Sequence, residues 1–168
     1  NVQTQTQIGK IESVEEGIRL TDEAGRMLGT FERVIVSAPA PQTADLLVDF
    51  PKLAQPISKI QMQPCWAVMA SFERPVTCDW VGAFIHDSVL TWVARNSTKP
   101  NRSMNAEHIV LHAAHHWTAE NWERQADEVA TELLARFRHD SGIPPQSPLH
   151  LQAHRWKFAL PVDPPRDR

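Results

Sequence analysis

Gln125-Ala126-Asp127-Glu128-Val129-Ala130-Thr131-Glu132-Leu133-Leu134-Ala135-Arg136-Phe137-Arg138-His139 decides the fold class. Its apolar positions are Ala126, Val129, Ala130, Leu133, Leu134 and Phe137, steps of three and one residue that lay a single stripe along an amphipathic helix. Asp127 and Glu128 stand near its start and Arg136, Arg138 and His139 near its end, as the helix dipole favours. Gly142 and Pro144 stop it. On both sides the period changes to that of β-structure. Upstream, Cys65–Phe72, Val81–His86, Leu90–Ala94 and His108–Ala113 read as strands, and downstream so does Leu149–Leu160. One helical stripe set among several strands describes an α+β domain.

Further upstream the reading stays β before turning helical. Val2, Thr4, Thr6 and Ile8 alternate with Gln3, Gln5 and Gln7, which predicts a half-solvated strand over Val2–Ile8. Ile18 and Leu20 alternate, Asp22-Glu23-Ala24-Gly25 supplies a turn and Met27-Leu28 resumes, so a hairpin or meander is expected. The continuous run Val34-Ile35-Val36 predicts a strand covered on both faces. Pro39 and Pro41 end it, and short helices are expected over Gln42–Val48 and Lys52–Lys59. Prolines 51, 56 and 64 punctuate a boundary near Ile60, giving regions 1–60, 61–160 and a tail, 161–168, expected to be disordered. Lys99–Ser103 reads as a polar loop.

Composition excludes several functions. The 168 residues include 6 glycines, 13 prolines, 6 tryptophans and no tyrosine. Glycine is at about half its usual share, and no two glycines form a G-x-G or open a G-x-x-x-x-G-K, so the chain has no phosphate-cradling loop of its own. Seventeen basic against twenty acidic residues give a net charge of −3 without a dense basic stretch, which argues against nucleic acid as a partner. No apolar run approaches the roughly 20 residues that span a bilayer, so no membrane partner is expected. The first residues do not read as a secretory leader, and a first residue of Asn1 rather than methionine leads to the expectation of an excised segment. Cys65 and Cys78 are too few for a disulfide framework; they are expected to be buried as small hydrophobes in a reducing, cytoplasmic setting.

The chemically active residue types are sparsely arranged. His108, His112, His115 and His116 fall within nine residues. On a helix three of them would share a face and could hold zinc, but Ile109-Val110-Leu111 is a β-type run and no H-E-x-x-H occurs. The expected arrangement is a strand with His108 and His112 on one face and a polar loop holding His115 and His116, with no metal site. Among the tryptophans, Trp92 shares a predicted strand face with Ala94 and Asn96, and Trp156 lies between Arg155 and Lys157. Such residues either pack or offer aromatic and cationic contacts to a ring-bearing ligand. There is no G-x-S-x-G elbow, Cys65 sits in an apolar strand where a thiol stays protonated, and the carboxylates are unpaired. No catalytic residue is therefore assigned. The residues alone specify a soluble α+β domain with one aromatic, histidine-bearing sheet face.

Several segments, in order, carry a resemblance. Arg33-Val34-Ile35-Val36-Ser37-Ala38-Pro39-Ala40-Pro41-Gln42 resembles the strand-and-proline segment of flavin-dependent amine oxidases where the chain re-enters the FAD domain. Met62–Met69, Trp80–Ile85, Ala94–Pro100, Val110–Ala113 and His154–Ala159 resemble, in sequence order, the substrate domain of the bacterial renalase-like subgroup. The resemblance spans roughly residues 10 to 160. It implies the substrate domain of a p-hydroxybenzoate-hydroxylase-like flavoprotein: a mixed, mainly antiparallel sheet with helices packed on one face. Residues 1–60 would belong to or border the FAD domain, and 61–160 would bind substrate. The implied reaction is hydride transfer from a dihydronicotinamide-type or amine substrate to flavin, a chemistry that needs no essential general base when the donor is already a dihydropyridine. The implied substrate-facing residues are His112 and Phe84 first, then Trp156 and Arg155, then Trp92 and Asn96. FAD would be held by the full-length protein through the FAD domain of the same chain. The 168 residues alone are expected to bind no FAD, to turn nothing over and to expose apolar surface that favours self-association. The competing readings are a non-enzymatic ligand-binding or interaction domain with an open aromatic sheet face, and a zinc enzyme built on the histidines.

Overall fold

In a computed structural model, residues 2–102 and 105–162 are described. The expected tail beyond Val162, and Ser103 at the end of the polar loop, lie outside the described residues. The described chain divides into two compact units: the residues up to Met62 together with Pro161 and Val162, and Gln63–Leu160.

In the first unit, β1 (Ile8–Val14), β2 (Gly17–Asp22) and β3 (Met27–Phe31) form an antiparallel meander. Gly17 has φ +140°, and a Cβ there would meet the Phe31 carbonyl oxygen at 2.6 Å, so the sharp entry into β2 requires glycine. The Asp22 carboxylate closes the next turn, accepting from the Arg26 amide at 2.8 Å and Arg26 Nε at 3.1 Å. The strand expected over Val2–Ile8 is corrected: the ladder begins at Ile8, opposite Asp22, and Val2 is 86% exposed. Alternation in Gln-Thr repeats has no apolar face to bury, and a strand holds only where a partner backbone meets it. The same constraint corrects Val34-Ile35-Val36, which pairs with no strand among the described residues and leaves Ile35 94% exposed.

Helices α1 (Ala40–Leu46) and α2 (Pro51–Ile57) each begin with proline in the first two positions, where the ring presets φ and the missing N–H costs nothing. That placement starts both slightly before the spans expected from apolar spacing. Thr43 anchors α1 by donating to the Ala38 carbonyl at 2.7 Å.

The second unit is a five-stranded sheet in the order β5-β6-β7-β4-β8, from β4 (Met62–Phe72), β5 (Gly82–Phe84), β6 (Leu90–Arg95), β7 (Glu107–Ala113) and β8 (His150–Pro161). β7 pairs antiparallel with β4 on one side and β6 on the other, and β6 pairs antiparallel with β5. Its side chains alternate strictly: Glu107, Ile109, Leu111 and Ala113 are buried, while His108, Val110 and His112 are half-buried. The buried set meets α4 (Ala126–Ser141), whose Val129, Ala130, Leu133, Leu134 and Phe137 form one core with Val68, Val93, Ile109 and Leu111. α4 ends on Gly142 in the left-handed region at φ +63°. The α+β class, with helix packed on one sheet face, stands.

His115 and His116 lie in a short helix, α3 (His115–Glu120), rather than in a loop. The cause is Thr118, wholly buried, whose hydroxyl accepts the Trp66 amide at 3.1 Å, while Trp66 Nε1 donates to the Asn121 carbonyl at 3.1 Å. These bonds pin the segment to β4 and wind it into a turn of helix.

Glu107 is the buried carboxylate of this core. It accepts from Arg95 Nη2 at 2.8 Å and Nε at 3.3 Å, from the Val76 amide at 3.3 Å, and from the Ser97 hydroxyl. Burial alone pushes its carboxyl up; the Arg95, Ser97 and Val76 donors outweigh that and hold it below the ordinary range. The stabilisation is complete above the unfolded pKa of about 4.3 and is lost as pH falls through the lower folded value. Arg95→Ala strands the buried charge and is expected to cost about 3–5 kcal/mol in urea unfolding at neutral pH. Glu107→Gln should flatten the acid limb of the stability profile, and an unchanged limb would show that the carboxylate is not its source.

Candidate functional site

One sheet face is filled by α4 and the core; the other is the candidate site. Direct cross-strand partners share a face, so register assembles the site row by row. Phe84 faces Trp92 on β6, Trp92 faces His112 on β7, and His112 faces Ala67 on β4. The adjacent row is Gly82, Ala94, Val110 and Met69, all small or apolar. Three of the six sequence-predicted residues, Phe84, Trp92 and His112, are thus brought into one row.

The aromatic pair is in contact: the Phe84 and Trp92 rings lie 4.7 Å apart with planes at 56°. Phe84 remains 75% exposed, so the pair forms a platform rather than a core. His112 beside it is half-buried, and its imidazole is held below the usual histidine range first by burial and then by the positive charge of Lys99. It is therefore the neutral ring near neutral pH, able to donate from one nitrogen and accept at the other. His108, further along the same face of β7, is committed elsewhere: its Nδ1 lies 2.8 Å from the Ser71 hydroxyl.

The other three predicted residues stand apart. Trp156 alternates with the core-facing Leu151 and Ala153 of β8, which puts it on the open side of that edge strand, 54% exposed and packed against His154 with ring centres 4.5 Å apart. Arg155 points to the opposite face. Its guanidinium stacks on Trp122 at 4.6 Å and Trp66 at 5.4 Å and donates to the Trp122 carbonyl. Asn96, expected on the face of Trp92, opens a 3-10 turn, Asn96–Thr98, just past the end of β6, so its strand alternation does not extend that far. That turn is fixed by Ser97 on Glu107 and by Thr98, which donates to the Arg95 carbonyl at 2.7 Å. The Arg95–Glu107 pair has a signal in the sequence: both charges fall in phase with the core positions Val93, Ile109 and Leu111.

Among the described residues, no three His, Cys, Asp or Glu side chains are placed to hold a metal ion, and no helix is long and apolar enough to cross a membrane. Cys65 and Cys78 are both free. Burial pushes the Cys65 thiol up to about 11, and the thiol donates to the Ala113 carbonyl at 3.6 Å. It is a protonated, packed thiol rather than a nucleophile.

No family profile matches the sequence. Solved structures do share the fold. Cyclohexylamine oxidase from Brevibacterium oxydans IH-35A superposes with a TM-score of 0.64 at 14% identity over 90% of this chain and 34% of its own. A putrescine oxidase redesigned in its cofactor binding gives 0.62 at 16% identity over 88% and 33%. Reduced UDP-galactopyranose mutase gives 0.57 at 9% identity over 86% and 32%. The chain spans about a third of each of these proteins.

Two measurements check the electrostatics. His112 should titrate by NMR with a midpoint below the free value of about 6.5. Because the folded value is the lower one, the unfolded chain takes the proton first, and acidification from that pH downward removes stability until the folded value is passed. Cys65 should resist alkylation at pH 8 until denaturant is added; labelling at the rate of a free thiol in the folded protein would contradict its burial.

Proposed function

We propose that this chain is the substrate-facing part of an FAD-dependent oxidoreductase of the flavin amine oxidase type, renalase-like in its substrate. The single observation that carries the reading is the row Phe84–Trp92–His112: an aromatic platform with a neutral imidazole, flanked by a row of small or apolar residues. The shared fold of the oxidases, over about a third of their length, supports it. A face of this shape suits a planar ring. The chain offers no glycine-rich nest for a pyrophosphate, so the FAD domain of the full-length protein would hold the cofactor. When bound, the flavin would supply the hydride acceptor.

What these residues contribute is binding, orientation and exclusion of water. Phe84 and Trp92 stack on the substrate ring, and His112 hydrogen-bonds its polar substituent without adding charge. Neither row places a carboxylate to pair an ammonium group, which favours a dihydronicotinamide over an amine substrate. Trp156, Arg155 and Asn96 would lie outside this first contact, Trp156 nearest the return of β8 toward the FAD domain. In this reading the division at Met62 separates an FAD-bordering meander from the substrate-binding domain. The two free cysteines support a reducing, cytoplasmic setting.

A second reading, a non-enzymatic domain binding a ring-bearing ligand on the same face, is favoured by the exposure of Phe84. The flanking reading frame separates the two: a G-x-G-x-x-G a hundred or more residues upstream supports the flavoprotein, and unrelated domains on both sides would sink it. In the full-length protein, His112→Ala is expected to slow flavin reduction by the 2- and 6-dihydro isomers of nicotinamide or to weaken their binding; unchanged rate and binding would remove His112 from the site. The 168-residue chain purified alone is expected to be colourless and inactive, and a flavin spectrum in that preparation would contradict the assignment.

A further inference from the structure

We infer that Gly82 is a positioning residue: its missing side chain is the seat of the Trp92 indole, and this seat sets the shape of the ring-binding platform. The inference rests on the reading above for its substrate but on geometry for the seat itself. Gly82 stands opposite Ala94, one pair along from Phe84 and Trp92. A Cβ at position 82 would lie 2.8 Å from both Cζ2 and Cη2 of Trp92, closer than carbon atoms pack. Gly82 is not among the glycines at positive φ, so its backbone conformation makes no demand for glycine. The demand comes from the indole, whose six-membered ring reaches along the face and rests over the bare backbone of β5.

That resting place has consequences for the whole row. With the far end of the indole over Gly82, Trp92 lies against Phe84 at 4.7 Å. The small side chains at Ala94 and Ala67 keep the neighbouring positions low. Trp92 and His112 are cross-strand partners, so an indole displaced from Gly82 has to stand up from the sheet or lean toward His112. Either movement narrows the place where a planar ring would stack. The atoms in the way are the tip of a side chain, not backbone, so a methyl group at position 82 is relieved by movement of Trp92 rather than of the sheet. The chain should fold, with an altered platform.

The test combines a spectroscopic and a kinetic reading, both on the full-length flavoprotein. Trp92 is isolated spectroscopically as the difference in emission between each protein and its Trp92→Phe counterpart. Gly82→Ala is expected to shift the Trp92 component and to raise KM for the 6-dihydro isomer of nicotinamide about two- to tenfold, the worth of one aromatic contact, with kcat changed much less. Trp92→Phe in the Gly82→Ala background removes the two clashing atoms and should bring KM back toward that of Trp92→Phe alone. An unshifted Trp92 component would overturn the seat. A shifted component with KM unchanged would overturn its role in ring binding, as would a KM defect that Trp92→Phe leaves in place. If neither dihydronicotinamides nor amines reduce the flavin, the parent reading fails, and the emission shift decides the seat independently.

Discussion

The strict alternation of β7 is the constraint on which the second unit rests. This strand is hydrogen-bonded on both sides, so its register cannot slip without turning every side chain to the other face. Its odd-numbered positions seal the core against α4, and its even-numbered positions carry the histidines to the open face. Core and candidate site are therefore two sides of one object. A change in the packing of Ile109 or Leu111 is transmitted to His108 and His112 through a single residue of backbone. The apolar interior supplies most of the free energy that holds the register, and the histidines are placed by it.

The Arg95–Glu107 pair plays a complementary part at the end of the same strands. A buried ion pair seldom adds net stability compared with well-packed apolar residues, but here it does something apolar residues would not. Glu107 gathers donors from the end of β6, from the turn after it and from the amide of Val76. It thereby fixes where β6 ends and the chain turns aside. The geometry that removes Asn96 from the face of Trp92 is a direct result.

Much of this was legible in the sequence because burial imposes a period. The stripe Ala126–Phe137 and the runs at Cys65–Phe72, Leu90–Ala94 and His108–Ala113 each face one core, and all were read within a few residues of their observed bounds. The misreadings share another cause. Val2–Ile8 and Val34-Ile35-Val36 have β-type composition, but a strand is a pairing, and composition says nothing about whether a partner is present. His115 and His116 read as a loop because what makes them helical is Thr118 and Asn121 meeting Trp66, more than fifty residues away in sequence. Phe84, Trp92 and His112 stand out in the sequence only as separate candidates; that they form one row depends on register, which a single strand does not reveal. Nothing in the sequence marks Gly82, because a glycine at ordinary φ carries no backbone signature.

The run Val34-Ile35-Val36 has a further consequence. Its amides and carbonyls are without sheet partners among the described residues, and its side chains are β-branched. Ile35 stands exposed between the half-buried Val34 and Val36, so the stretch offers unpaired backbone that a free strand can join. The prolines at 39 and 41, which cannot donate to a ladder, cap that stretch at one end.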